Sequence, residues 1–245
     1  MNKKQERSKF REDSNSRLAM DLYHDLKKVL ITFPIEEAGN LNNQLRRASS
    51  SVAKHISVAE KAVNGNKGNA YSISIGSAQE VIGGLHIAHH FDYISKEMYN
   101  YFTREYQFMI TGMLPLVEKW VNPEKIEIRN VYDFRDDQIF KDSLSLVIQA
   151  YEYTQAHLGS DDNDEALQLR KHATSVVLNI SESFQAYIGK QSSYLNNAYH
   201  SLQKFKTSVE LLNLESFMSQ ELLSLAKVIE KQFAEVIIKE DVSQW

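Results

Sequence analysis

Apolar side chains recur at intervals of three and four along most of the chain, a period that predicts helices rather than strands. Leu18, Leu22, Leu26, Val29 and Leu30 mark a first helix over residues 16–31. Phe33-Pro34 ends it, because a residue before proline is pushed out of the helical region. Leu45, Ala48, Val52, Ile56, Ala59 and Val63 form the stripe of a second helix, whose start suits the acids Glu36 and Glu37. Asn64-Gly65-Asn66-Lys67-Gly68 reads as the turn into a third helix, which carries Ile75, Ala78, Ile82, Leu85 and Ala88 and runs to Phe91. Gly76, Gly83 and Gly84 lie inside that helix, where each costs about 1 kcal/mol against alanine, so a closely approaching neighbour is expected there. Ser95 is a suitable N-cap for a fourth helix. Its face is Tyr99, Phe102, Tyr106, Met109 and Met113, with Pro115 before its end at Trp120.

The second half repeats the first. Gln44-Leu45-Arg46-Arg47-Ala48 and Ser51-Val52 return 124 positions later as Gln168-Leu169-Arg170-Lys171-His172 and Ser175-Val176. Without a gap, Ser77 and Gln79 fall on Ser201 and Gln203, and Glu97 falls on Glu221. Such self-similarity indicates a duplicated unit. Four further helices are therefore expected over 137–158, 163–187, 191–214 and 219–239, with Asn163 or Asp164 as a cap and Gly189 as a turn. The predicted fold is all-α, two tandem antiparallel four-helix bundles. Its parts are a flexible arm at 1–15, a bundle at 16–121, a linker at 122–136 and a bundle at 137–240. Within the linker, Ile126-Glu127-Ile128 alternates and suggests a brief extended segment.

Composition narrows the classes. A 42% apolar and 24% charged chain of 245 residues has the makings of two buried cores. With no cysteine, neither a disulfide framework nor a thiolate metal site can form, which fits a reducing, cytoplasmic setting. The basic N-terminus has no apolar segment after it and is not expected to be a signal peptide. No run approaches the length of a membrane span, so no membrane partner is expected. The net charge of −4 is unevenly shared: residues 1–122 carry +3 and residues 123–245 carry −7. Attraction of the whole molecule to nucleic acid is not expected, and any basic surface is local.

Phe33-Pro34, Glu37, Gln44-Leu45-Arg46-Arg47-Ala48, Ser51-Val52, Ile56, Gly76-Ser77, Glu80 and Tyr93-Ile94 compose a recognisable motif. Gln168-Leu169-Arg170, Ser175-Val176, Asn179-Ile180-Ser181-Glu182 and Ser201 echo it. The pattern resembles a bacterial four-helix-bundle family: proteins encoded in intervening sequences of large-subunit ribosomal RNA, together with accessory variability proteins of diversity-generating retroelements. The resemblance implies small oligomeric bundles and, for the retroelement proteins, binding to a reverse transcriptase and to structured nucleic acid. Neither copy is complete. His55 and Val58 depart from the pattern in the first, and Lys171-His172 and the missing Phe-Pro and Gly-Ser pairs depart from it in the second.

Arg46, Arg47, Arg170 and Lys171 flank the core stripes and are the candidate nucleic-acid or partner contacts, since guanidinium groups grip phosphates bidentately. The bland alternative is ion pairing with stems packed on the bundle. Asn179 and Glu182 share a helix face and read as a structural polar pair. His86, His89 and His90 are the one histidine cluster; without Glu-x-x-His spacing anywhere, they read as solvated or subunit-facing rather than as metal ligands. On helix four, Tyr101 and Phe108 lie off the core stripe and could face a partner, while the basic arm, with Lys3, Lys4, Arg7, Lys9 and Arg11, offers further contacts. No nucleophile, base and orienting group recur together, and no Gly-rich phosphate loop is present. The expected function is a non-enzymatic accessory or scaffold protein, without cofactor. It would bind RNA or DNA, or a nucleic-acid enzyme such as a reverse transcriptase. The alternative is an interaction or self-association module alone.

Overall fold

The computed structural model describes residues 3–62, 65–121, 134–157, 164–184, 188–212 and 217–242. Within them the chain forms eight α-helices and no strand. These are α1 (Lys3–Leu30), α2 (Leu41–Lys61), α3 (Gly65–His90), α4 (Lys96–Trp120), α5 (Gln138–His157), α6 (Asp164–Ser183), α7 (Ile188–Leu211) and α8 (Phe217–Val242). Two compact units result: residues 1–132 with 184–189, and residues 133–183 with 190–245.

In the first unit α1 packs on α2 and α4, α2 on α3, and α3 on α4, closing a four-helix bundle. Its centre holds Leu22, Leu26, Leu45, Val52, Ile56, Ile75, Ile82, Tyr106 and Met109, the stripe positions set by the period of the sequence. Gly76, Gly83 and Gly84 are buried, and Ser74 Oγ donates to the Val52 carbonyl at 3.1 Å. Small residues thus let α3 lie close against α2, as their placement in a helix interior suggests. Ser95 caps α4 by accepting from the Met98 amide, and Pro115 sits within the same helix.

Three boundaries of the first unit differ from the sequence reading, and one is the start of α2, which lies at Leu41 after a 3-10 turn over Ile35–Glu37 rather than at Glu36 and Glu37. Helix α1 begins at Lys3, inside the segment expected as a flexible arm, because residues 3–14 are mostly strong helix formers with no glycine or proline. Helix α3 already includes Gly65 and Gly68, which read as turn residues. A Cβ on Gly68 would stand 2.5 Å from Val121 Cγ2 and 3.0 Å from Trp120 Cβ, so this glycine answers to the end of α4 rather than to a turn. At the far end of α3, Asp92 takes φ 57° and ends the helix. The Asp92 amide donates to the His89 carbonyl at 3.1 Å and the Tyr93 amide to the Ala88 carbonyl at 2.9 Å, a Schellman closure.

In the second unit α5 packs along α6 and α8. Its core includes Phe140, Tyr151, Leu169, Val176, Ile180, Phe205 and Phe233. A 3-10 turn at Phe134–Asp136 precedes α5, inside the stretch read as linker, because Phe134 is buried edge-on against Phe140. Gly189 falls within the first turn of α7 instead of before it. Helix α7 is joined to its neighbours by side chains: His172 with Ser208, and Lys206 and Gln203 with Glu230. The proposed extended segment at Ile126-Glu127-Ile128 and the cap candidate Asn163 lie outside the described residues.

Candidate nucleic-acid interface

Helix α2 is fixed at its start and along its inner face. At its start the buried Glu37 carboxylate accepts from the Leu41 amide at 3.3 Å and the Asn40 side chain at 3.2 Å. It also accepts from the Tyr93 hydroxyl at 3.5 Å, and the Tyr93 ring lies 5.5 Å from that of Phe33. Three motif positions, Phe33, Glu37 and Tyr93, therefore form one clamp on the N-terminus of α2, satisfying donors that a helix leaves open. Inside, Ser49 meets the Tyr106 hydroxyl at 2.7 Å, and Ser77 donates to Ser51 at 2.8 Å.

The outer face of this rigid helix is basic. Arg46, Arg47, Lys54 and Lys61 are all exposed, and Glu60 is the single acid in the helix. Arg46 donates to the neutral Asn43 side chain at 3.1 Å, and among the described residues no carboxylate pairs with any of the four cations. Arg47, Lys54 and Lys61 recur every seven residues, which spaces them about 10.5 Å apart on one side of the helix. The sequence reading singled out the arginine pair but not Lys54 and Lys61. Their heptad spacing in a helix nearly free of acids was the available signal.

The same register in the second unit is built differently. Arg170 donates from Nε to Thr154 Oγ1 at 2.6 Å, with its guanidinium 4.9 Å from the centre of the Tyr151 ring. It is half-buried and tied to α5, whereas Lys171 is exposed. The residue aligned with Lys54 is the buried Leu178, so the basic stripe is not duplicated. Asn179 donates to the Ser175 carbonyl at 2.7 Å, one turn back on its own helix, and Glu182 is half-buried further along.

The histidines gather around Tyr99. His86 Nδ1 lies 3.0 Å from its hydroxyl, and the His89 ring stacks on it at 4.9 Å. His90 is exposed at the edge of Phe91. Among the described residues no group of three His, Cys, Asp or Glu side chains is placed to hold a metal ion. Tyr101 and Phe108, the aromatic residues off the α4 core stripe, are exposed, Phe108 by 64%. Among the described residues no helix is long and apolar enough to cross a membrane.

Residues 15–113, from within α1 to within α4, match the family model described as 23S rRNA-intervening sequence protein. The resemblance read from the motif holds over that span. Neither a curated protein nor a solved structure matches the chain.

Proposed function

We propose that the chain is a non-enzymatic accessory protein that binds structured nucleic acid, RNA first, through the exposed face of α2. The observation that carries this reading is the row Arg46, Arg47, Lys54 and Lys61, four exposed cations with no carboxylate partner among the described residues, on one buttressed helix. Such groups neutralise phosphates and release counterions, a term that operates locally even on a molecule of net charge −4. The description of the matched family, which names ribosomal RNA, supports RNA over DNA. Lys171 of the second unit is a lesser phosphate ligand, and Arg170 serves the α5–α6 packing.

A second reading, an interaction module that docks a nucleic-acid enzyme such as a reverse transcriptase or another copy of itself, draws on the exposed Tyr101 and Phe108 of α4. Binding to a hairpin RNA and to duplex DNA across a salt series separates the two. The nucleic-acid reading expects log affinity to fall linearly with log salt. The Arg46→Ala/Arg47→Ala/Lys54→Ala variant should flatten that slope by about 0.7–0.9 for each phosphate it no longer neutralises. Helical content should stay unchanged. No binding at low salt, or an unchanged slope in the variant, sinks this reading and leaves the docking one.

A further inference from the structure

The two copies differ most tellingly where α6 faces α7. In the first unit the register holds Ala48 on α2 and Gly83-Gly84 on α3, all buried. In the second it holds His172 on α6 and Thr207-Ser208 on α7. These larger side chains meet between the helices, with His172 Nδ1 and Ser208 Oγ 3.0 Å apart. An open groove of about 480 Å³ lies here, lined by eight polar or charged side chains and Leu211, with the carbon of their stems as most of its exposed surface.

Its charges are sorted by end. Asp164 and Glu165, in the first turn of α6, line one end, and Lys204 of α7 lines the other, beyond His172. Asp164 and His172 are eight positions apart, about 12 Å along the helix. Leu211, 73% exposed, is the apolar side chain of this lining, and Leu167 on α6 is 40% exposed outside it. A trough between two antiparallel helices, floored by side-chain stems and bipolar along its length, matches the ridge of a third helix.

We propose that the α6–α7 groove receives one amphipathic helix of a partner protein, acidic in its first turn and basic in its last, lying antiparallel to α6. A helix favours acids at its N-terminus and bases at its C-terminus. In this orientation its acidic turn meets Lys204 and its basic turn meets Asp164 and Glu165. The aligned positions of the first unit hold the small buried residues Ala48, Gly83 and Gly84. This docking site is separate from the α2 face and does not depend on nucleic-acid binding.

The probe is a fluorescent synthetic peptide of about four turns with glutamates in the first turn, lysines in the last and leucines three and four apart between them. A second peptide exchanges the glutamates and lysines. The full chain should bind the first at micromolar concentration and the second about tenfold more weakly. Asp164→Lys/Glu165→Lys/Lys204→Glu, altered only at exposed positions, should reverse that preference. Restoring the first-unit residues with His172→Ala/Thr207→Gly/Ser208→Gly should close the trough and remove binding of both peptides. Equal binding of the two peptides, a preference that survives the charge exchange, or no binding of either overturns the proposal.

Discussion

The hydroxyls of Ser49 and Tyr106 stand 2.7 Å apart in the interior of the first unit, with both side chains buried. Burial pushes the Tyr106 hydroxyl well above its usual range, so the ring stays neutral and the pair is an ordinary hydrogen bond between α2 and α4. Tyr106→Phe would strand the Ser49 hydroxyl and should cost about 1–3 kcal/mol. Ser49→Ala/Tyr106→Phe removes both polar atoms and should recover most of that loss, as urea unfolding of the two variants would show. A double variant no more stable than Tyr106→Phe would mean that the bond is not what the serine provides.

Asp92 occupies a left-handed position that suits glycine better than any residue with a Cβ. Its backbone bonds to the end of α3 do not involve its side chain. Asp92→Gly should therefore raise stability by about 0.5–1 kcal/mol, with a melting temperature a few degrees higher. A fall in melting temperature would show that the carboxylate has a role the backbone geometry hides.

Gly68→Ala makes the opposite test. Alanine is the better helix former by about 1 kcal/mol. The added methyl, however, would press on Val121 and on the Trp120 backbone, atoms with little room to yield. The substitution should be net destabilising by about 1–2 kcal/mol. A stabilised variant would indicate that the end of α4 adapts freely.

His172 provides a pH signature. Burial, and then the neighbouring Lys204 and Lys171, push its pKa below the ordinary 6.5, so the fold prefers the neutral ring. A depressed folded-state value means that stability is fully present above the unfolded pKa of 6.5 and is lost as pH falls through the lower folded value. Asp164 and Glu165 share its groove, and Ser208 is its hydrogen-bond partner. Denaturant titrations at about pH 7.5 and 5.5 should show a larger loss for the natural chain than for His172→Gln. Equal losses would remove His172 as the cause.

The sequence by itself settled much of the architecture. The 3.6-residue period placed the buried stripes of α2, α3 and α4, from Leu45 to Met113, because burial of an apolar face is a local pattern repeated along one helix. Ser95 announced its cap for the same reason: the atoms that cap a helix lie within a few residues of its end. The motif pointed to the family found over residues 15–113. Tertiary packing decided the rest. Arg46 and Arg170 hold the same register, yet one is exposed and the other lies over Tyr151, because the helix opposite supplies Thr154 and an aromatic ring only in the second unit. Gly68 read as a turn because local preference cannot register the approach of Trp120, more than fifty residues away. His172 likewise meets Ser208 across α6 and α7, a pairing that no periodicity along either helix encodes.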